Sequence, residues 1–158
     1  MNMQEMVEYA VRSTYIQGHQ AMAATGTSEG NNFEEWGCRY RTKEGYKCAV
    51  GQLIPDDMYV PEMEDVVARD ILDERSSAYM LRKAIETTIE RELTEEDVNM
   101  LSLLQDAHDG VEQGIGRIPY QFRPVFRQRV ATTLAIAGDQ YSIHIDDEFL
   151  EHLDKEES

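Results

Sequence analysis

Between Ser77 and Leu93 the apolar residues Leu81, Ala84, Ile85, Ile89 and Leu93 return every three or four positions, the spacing that lays a stripe along one face of an α-helix. Most of the chain repeats that period. Met3, Met6, Val7, Ala10, Thr14, Ala21 and Met22 predict a helix over 2–25 that ends near Thr25-Gly26, and Met63, Val66, Val67, Ile71 and Leu72 predict another over 62–74. Thr94-Glu95-Glu96-Asp97 reads as a helix start, with Thr94 accepting a backbone N–H and acids facing the positive helix end. Val98, Leu101, Leu104, Ala107 and His108 form the stripe that follows. Phe126, Val130, Leu134 and Ala137 predict a further helix over 123–137, terminated by Gly138.

One stretch breaks the period. Over 36–54, Cys38, Tyr40 and Thr42 alternate with Arg39 and Arg41, and Tyr46, Cys48 and Val50 alternate after Lys43-Glu44-Gly45, which predicts a β-hairpin with a glycine-containing turn. The expected fold class is α+β, mainly α: about five helices packed around a small β-hairpin. A length of 158 residues suits one globular domain, placed at 1–153, before an acidic mobile tail at 154–158.

Charge narrows the function. Thirty-one acids against fifteen bases leave a net charge of −16, which repels nucleic-acid phosphates and anionic lipid. Direct nucleic-acid binding and membrane association are therefore not expected. The longest apolar runs are a few residues, and no basic segment followed by an apolar run opens the chain, which predicts a cytosolic protein. The acids concentrate between 62 and 97, where twelve face five bases. Two islands are different. One holds Arg39, Arg41, Lys43 and Lys47; the other, over 113–138, holds Arg117, Arg123, Arg127 and Arg129 and no acid. Either these cations pair with the acidic helices, or the islands meet as an anion pocket in which Arg39, Tyr40, Arg41, Lys47, Arg117, Arg123 and Arg127 bind phosphate and stack on a base.

Residues able to do covalent or acid–base chemistry are few. His108 beside Asp109 is the one histidine–carboxylate pair that suggests a general base, although adjacent helical side chains point about 100° apart, which favours a core histidine. Cys38 and Cys48 lack the spacing of a zinc site and read as buried thiols. His144 and Asp146 share a strand face, but two ligands do not make a metal site. Gly110, Gly114 and Gly116 before Arg117 would let backbone amides approach a phosphate, as any helix-to-helix loop would. No cofactor and no metal are expected.

The segments Cys38-Arg-Tyr-Arg41, Lys47-Cys-Ala-Val-Gly51 and Leu53-Ile-Pro-Asp56 with Tyr59, followed by Leu104-Gln-Asp-Ala-His-Asp109, resemble a small family of proteins encoded by tailed phages and prophages. That resemblance spans about a third of the chain. It implies an accessory protein working in the cytosol of an infected bacterium, by extension against a host defence protein, and it carries over no catalytic residue.

Three functions are then in view. In the leading one, a non-enzymatic inhibitor presents Glu62, Glu64, Asp65, Asp70, Asp73 and Glu74 to a host protein that has a basic, nucleic-acid-binding site. In the second, the arginine and tyrosine pocket sequesters a phosphorylated small molecule or signalling nucleotide. The third is a small hydrolase using His108, or the two cysteines. Self-association as a homo-oligomer is compatible with each.

Overall fold

A computed structural model describes residues 1–27, 34–109, 122–145 and 147–156. The fold is mainly α-helical. Five helices appear among the described residues: α1 (Met3–Gln17), α2 (Ser76–Ile89), α3 (Glu95–Asp109), α4 (Phe122–Tyr141) and α5 (Asp147–Glu156). Two short strands, β1 (Met22–Thr27) and β2 (Glu34–Cys38), pair antiparallel with Met22 opposite Cys38.

Local chemistry explains where the helices start. Asn2 accepts the Glu5 N–H at 2.8 Å while the Glu5 carboxylate accepts the Asn2 N–H at 3.1 Å, a reciprocal cap on α1. Thr94 does the same for α3: its hydroxyl accepts the Asp97 N–H at 3.2 Å, and the Asp97 carboxylate accepts the Thr94 N–H at 2.9 Å. Pro124 sits in the first turn of α4, where a helix needs no N–H.

The ends differ from expectation. Instead of reaching Thr25-Gly26, α1 stops at Gln17 because Gly18 turns left-handed, φ +72°, and its N–H closes on the Thr14 carbonyl. Helix α2 stops at Ile89 rather than Leu93, with Glu90 in the left-handed region. Gly138 does not end α4, which continues to Tyr141; one interior glycine costs only about 1 kcal/mol, and Ile143 beyond it is anchored in the core. The expected acidic tail begins inside α5, which extends to Glu156.

Two expected elements are not formed. In place of the hairpin over 36–54, β2 ends at Cys38, a 3₁₀ turn spans Gly51–Leu53, and between them lies one isolated bridge, Arg41 with Lys47, closed by a turn in which Thr42 N–H donates to Tyr46 O at 2.8 Å. The reason lies in where the donors go. Tyr40 and Arg41 N–H both donate to the Glu64 carboxylate, and Lys47 N–H donates to Gln17 Oε1, so side chains take the groups a strand ladder would use. In place of a helix over 62–74 there are two 3₁₀ turns, Pro61–Asp65 and Ala68–Asp70, separated by extended Val66 and Val67. The Val66 carbonyl accepts from the Tyr40 hydroxyl, which replaces a helical partner with a tertiary one.

The core forms two clusters, with α1 and α3 contributing to both. Met6 of α1 and Val98 and Leu101 of α3 join Leu81, Ile85 and Ile89 of α2, the 3₁₀ turns and Tyr40. Val7, Ala10, Val11 and Tyr15 of α1 and Met100 and Leu104 of α3 join Phe126 and Val130 of α4 and Leu150 of α5. Helix α3 also packs against the Ala68–Asp70 turn, which places the acidic 61–75 segment beside it.

Candidate functional site

Two cations of the first basic island, Arg41 and Lys47, share one carboxylate. Asp56 Oδ1 lies 2.6 Å from Arg41 Nη2 and 2.9 Å from Lys47 Nζ, and the Arg41 guanidinium rests 4.7 Å above the Tyr59 ring. The hydrogen bond from Lys47, then the charges of Lys47 and Arg41, hold the Asp56 carboxyl below its usual range. Tyr40 is buried, its hydroxyl spent on Val66. Arg39 is half-exposed and makes no ion pair among the described residues.

The second island does different work. Arg123 donates from Nε to the Tyr15 carbonyl at 2.9 Å and from Nη2 to the Ile16 carbonyl at 3.0 Å. Those are the orphan carbonyls at the end of α1, where a cation also meets the negative helix end. Binding of phosphate, expected of Arg123, is therefore not what this side chain is turned toward: its fork faces carbonyls. Arg127 lies half-buried one turn on, and Arg129 is buried. Arg117 and the glycine segment 110–117 lie outside the described residues.

Glu64 is the centre of a site that the sequence assigned to the outer face. Its Oε1 accepts Tyr40 N–H at 2.9 Å, and its Oε2 accepts Arg41 N–H at 3.2 Å and the Tyr59 hydroxyl at 2.6 Å. Burial, then the hydrogen bond to Glu64, push the Tyr59 phenol up. Beside Glu64 a cleft of about 290 Å³ opens between the 64–69 segment and α3, with Glu64 and Arg69 on one wall and Ser102, Gln105 and Asp106 on the other. Tyr40, Val66, Val67 and Ala68 complete it. No sequence signal marks this cleft, because its walls are joined by pairings 24 and more residues apart.

The remaining acids of that segment do face solvent. Glu62, Asp65, Asp73 and Glu74 are exposed and Asp70 is half-exposed. Asp73 pairs with Arg75 at 3.0 Å, both well exposed, so the pair is weak. Apolar side chains lie among them: Val67 is 51% exposed, Leu72 38% and Tyr79 50%. Tyr79 is flanked by the Arg82 guanidinium at 5.2 Å and the Lys83 ammonium at 5.5 Å from its ring centroid.

His108 lies in the core. It is fully buried, its Nε2 accepts the Ala21 N–H at 3.0 Å, and its ring meets the Phe122 ring edge-on at 5.9 Å. A general base must reach a substrate proton, and this nitrogen already serves the backbone. Asp109 closes α3, its side chain outside the described residues. Cys48 is a buried free thiol that accepts the Gly51 N–H at 3.3 Å, and the Cys38 side chain lies outside the described residues. His144 uses its backbone to bond the Gln4 amide, and Asp146 is not described. Among the described residues no three His, Cys, Asp or Glu side chains gather as a metal site. No family model, curated protein or solved structure matches the chain.

Proposed function

We propose that the chain is a non-enzymatic binding protein of the phage accessory type, whose 61–79 surface docks on a basic protein of the bacterial host cytosol and blocks it. One observation carries this reading: of the five large apolar side chains exposed among the described residues, Val67, Leu72 and Tyr79 fall in this stretch, interleaved with exposed Glu62, Asp65, Asp73 and Glu74. Carboxylates steer a basic partner and set register, while apolar side chains supply the area whose burial holds it. A basic nucleic-acid-binding site is the partner surface that such charge complements. The helical fold adds no conflicting demand, since no described helix is long and apolar enough to cross a membrane. A phosphorylated ligand is served less well, because Arg41 and Lys47 share Asp56 and Arg123 caps α1.

The test is quantitative capture from bacterial lysate on the immobilised protein, compared with the E62Q/D65N/D73N/E74Q variant. The wild-type chain is expected to retain a basic protein at about 50 mM salt and to lose most of it by about 300 mM, as Debye screening shortens. The variant should retain at least about tenfold less at low salt, the loss of several steering charges. Equal retention by the two proteins would refute the surface.

A further inference from the structure

The proposed docking face is built on turns that do not hold themselves. It begins with the 3₁₀ turn Pro61–Asp65, followed after Val66 and Val67 by the turn Ala68–Asp70, and neither turn has a side-chain cap at its start. Such turns have poorer hydrogen-bond geometry than an α-helix and stay short. Met63, Val66 and Ala68 sink into the core and set the depth of the segment. Apolar burial is non-directional, so it does not by itself decide which way the neighbouring side chains point. Hydrogen bonds are directional.

Glu64 supplies them. Its half-buried carboxylate, within the first turn, accepts from Tyr40 N–H at 2.9 Å, Arg41 N–H at 3.2 Å and the Tyr59 hydroxyl at 2.6 Å. All three donors lie outside 61–79 and tie the turn to two other segments of the chain. The Tyr40 hydroxyl adds a bond from the same side, to the Val66 carbonyl. Around this inward acid, Glu62, Asp65 and Val67 are exposed. A surface already shaped in the free protein loses less conformational freedom on association.

We propose that Glu64 is the positioning residue of the docking surface: by gathering Tyr40 N–H, Arg41 N–H and the Tyr59 hydroxyl, it holds the Pro61–Asp65 turn in the shape that the basic partner engages; this rests on the docking surface proposed above. The test pairs two variants that lose the same charge from the same turn, Glu64→Ala, which faces in, and Glu62→Ala, which faces out. A third, Tyr59→Phe, loses one donor, keeps every charge and lies outside the docking face.

In the free chain the N–H groups of Met63 and Val66 close the first turn. Their hydrogen exchange should speed at least about tenfold in Glu64→Ala and about threefold in Tyr59→Phe, for several lost bonds and for one, and stay unchanged in Glu62→Ala. Protected amides in α2 report that each variant is folded. Affinity is then measured for the basic protein that the wild-type chain captures, at about 50 and 150 mM salt. Glu62→Ala should lose about twofold at the lower salt and less at the higher, because steering charge is screened. Glu64→Ala should lose at least about tenfold at both, the factor by which the binding-competent fraction falls, which salt does not screen.

Unchanged exchange of Met63 and Val66 in Glu64→Ala, or equal affinities of the two alanine variants, would overturn the proposal. Should Glu64→Ala lose the protection of α2, Tyr59→Phe decides: faster exchange with weaker binding at both salts supports it, and wild-type affinity refutes it. Capture that is insensitive to Glu64 removes the positioning role alone. Failure of the wild-type chain to capture a basic protein removes the docking surface, and this proposal with it.

Discussion

Asp97 shows how one side chain ties the chain together. Its carboxylate is buried, accepts both forks of Arg91 at 2.5 and 2.9 Å, and caps α3, while Arg91 Nε donates to the Met1 carbonyl at 2.5 Å. Burial alone would raise its pKa; the Arg91 and Thr94 hydrogen bonds outweigh burial and lower it. A carboxyl whose folded value is depressed stabilises the fold above its unfolded value, and that contribution is lost as pH falls through the ordinary carboxyl range toward the folded value. Asp97→Asn is therefore expected to cost roughly 2–3 kcal/mol at neutral pH, less than a fully buried pair because Arg91 is 30% exposed, and to flatten the acid limb of a urea-denaturation profile. An acid limb as steep as the wild type's would contradict this. His108→Ala should cost about 2–4 kcal/mol, since it opens a cavity and leaves the Ala21 N–H unpaired. Chemical denaturation reads that loss, and a variant as stable as the wild type would show that the ring has no packing role.

At the scale of elements, the parts that were legible in the sequence are those whose causes are local. The stripes of α2, α3 and α4 and the Thr94 cap are each set by residues within a few positions, so period and cap chemistry found them. The hairpin failed because its N–H groups answer Glu64 and Gln17, 24 and 30 residues away, and the 62–74 helix failed because Val66 is bonded to Tyr40. The site was legible only as composition. Acid-rich 62–74 was visible, but that Glu64 turns inward while Glu62 and Asp65 face out depends on those same distant pairings. Two glycines show how tightly these elements meet. A Cβ on Gly51 would lie 2.0 Å from the Tyr40 carbonyl oxygen, backbone that cannot swing away, so Gly51→Ala should cost about 3 kcal/mol or more. At Gly18 a Cβ would meet Arg123 Nη2 at 2.5 Å in a backbone already at φ +72°. Gly18→Ala should therefore lower stability by about 1–2 kcal/mol and loosen the Arg123 cap, seen as faster amide exchange in the last turn of α1. Unchanged exchange there would mean that Arg123 does not hold the helix end.

At the scale of the whole molecule, the charge has a division of labour. Four cations tie segments of the fold together, Arg41 and Lys47 at Asp56, Arg91 at Asp97 and Arg123 at the end of α1, while Glu62, Asp65, Asp73 and Glu74 stay outward. The E62Q/D65N/D73N/E74Q variant should accordingly fold within about 0.5 kcal/mol of the wild type, because only Asp73 among them makes contacts, a bond from the Glu74 N–H and an exposed pair with Arg75, and exposed contacts of this kind are worth little. A large loss of stability would mean that the acids are structural. The most direct test of the docking surface is hydrogen exchange of the chain, free and in complex with the protein that it captures. Protection should rise over 61–79 and over Ser102–Asp106 of α3, with α1 and α4 unchanged. Protection centred on Arg123–Arg129, with 61–79 exchanging as in the free chain, would contradict the account.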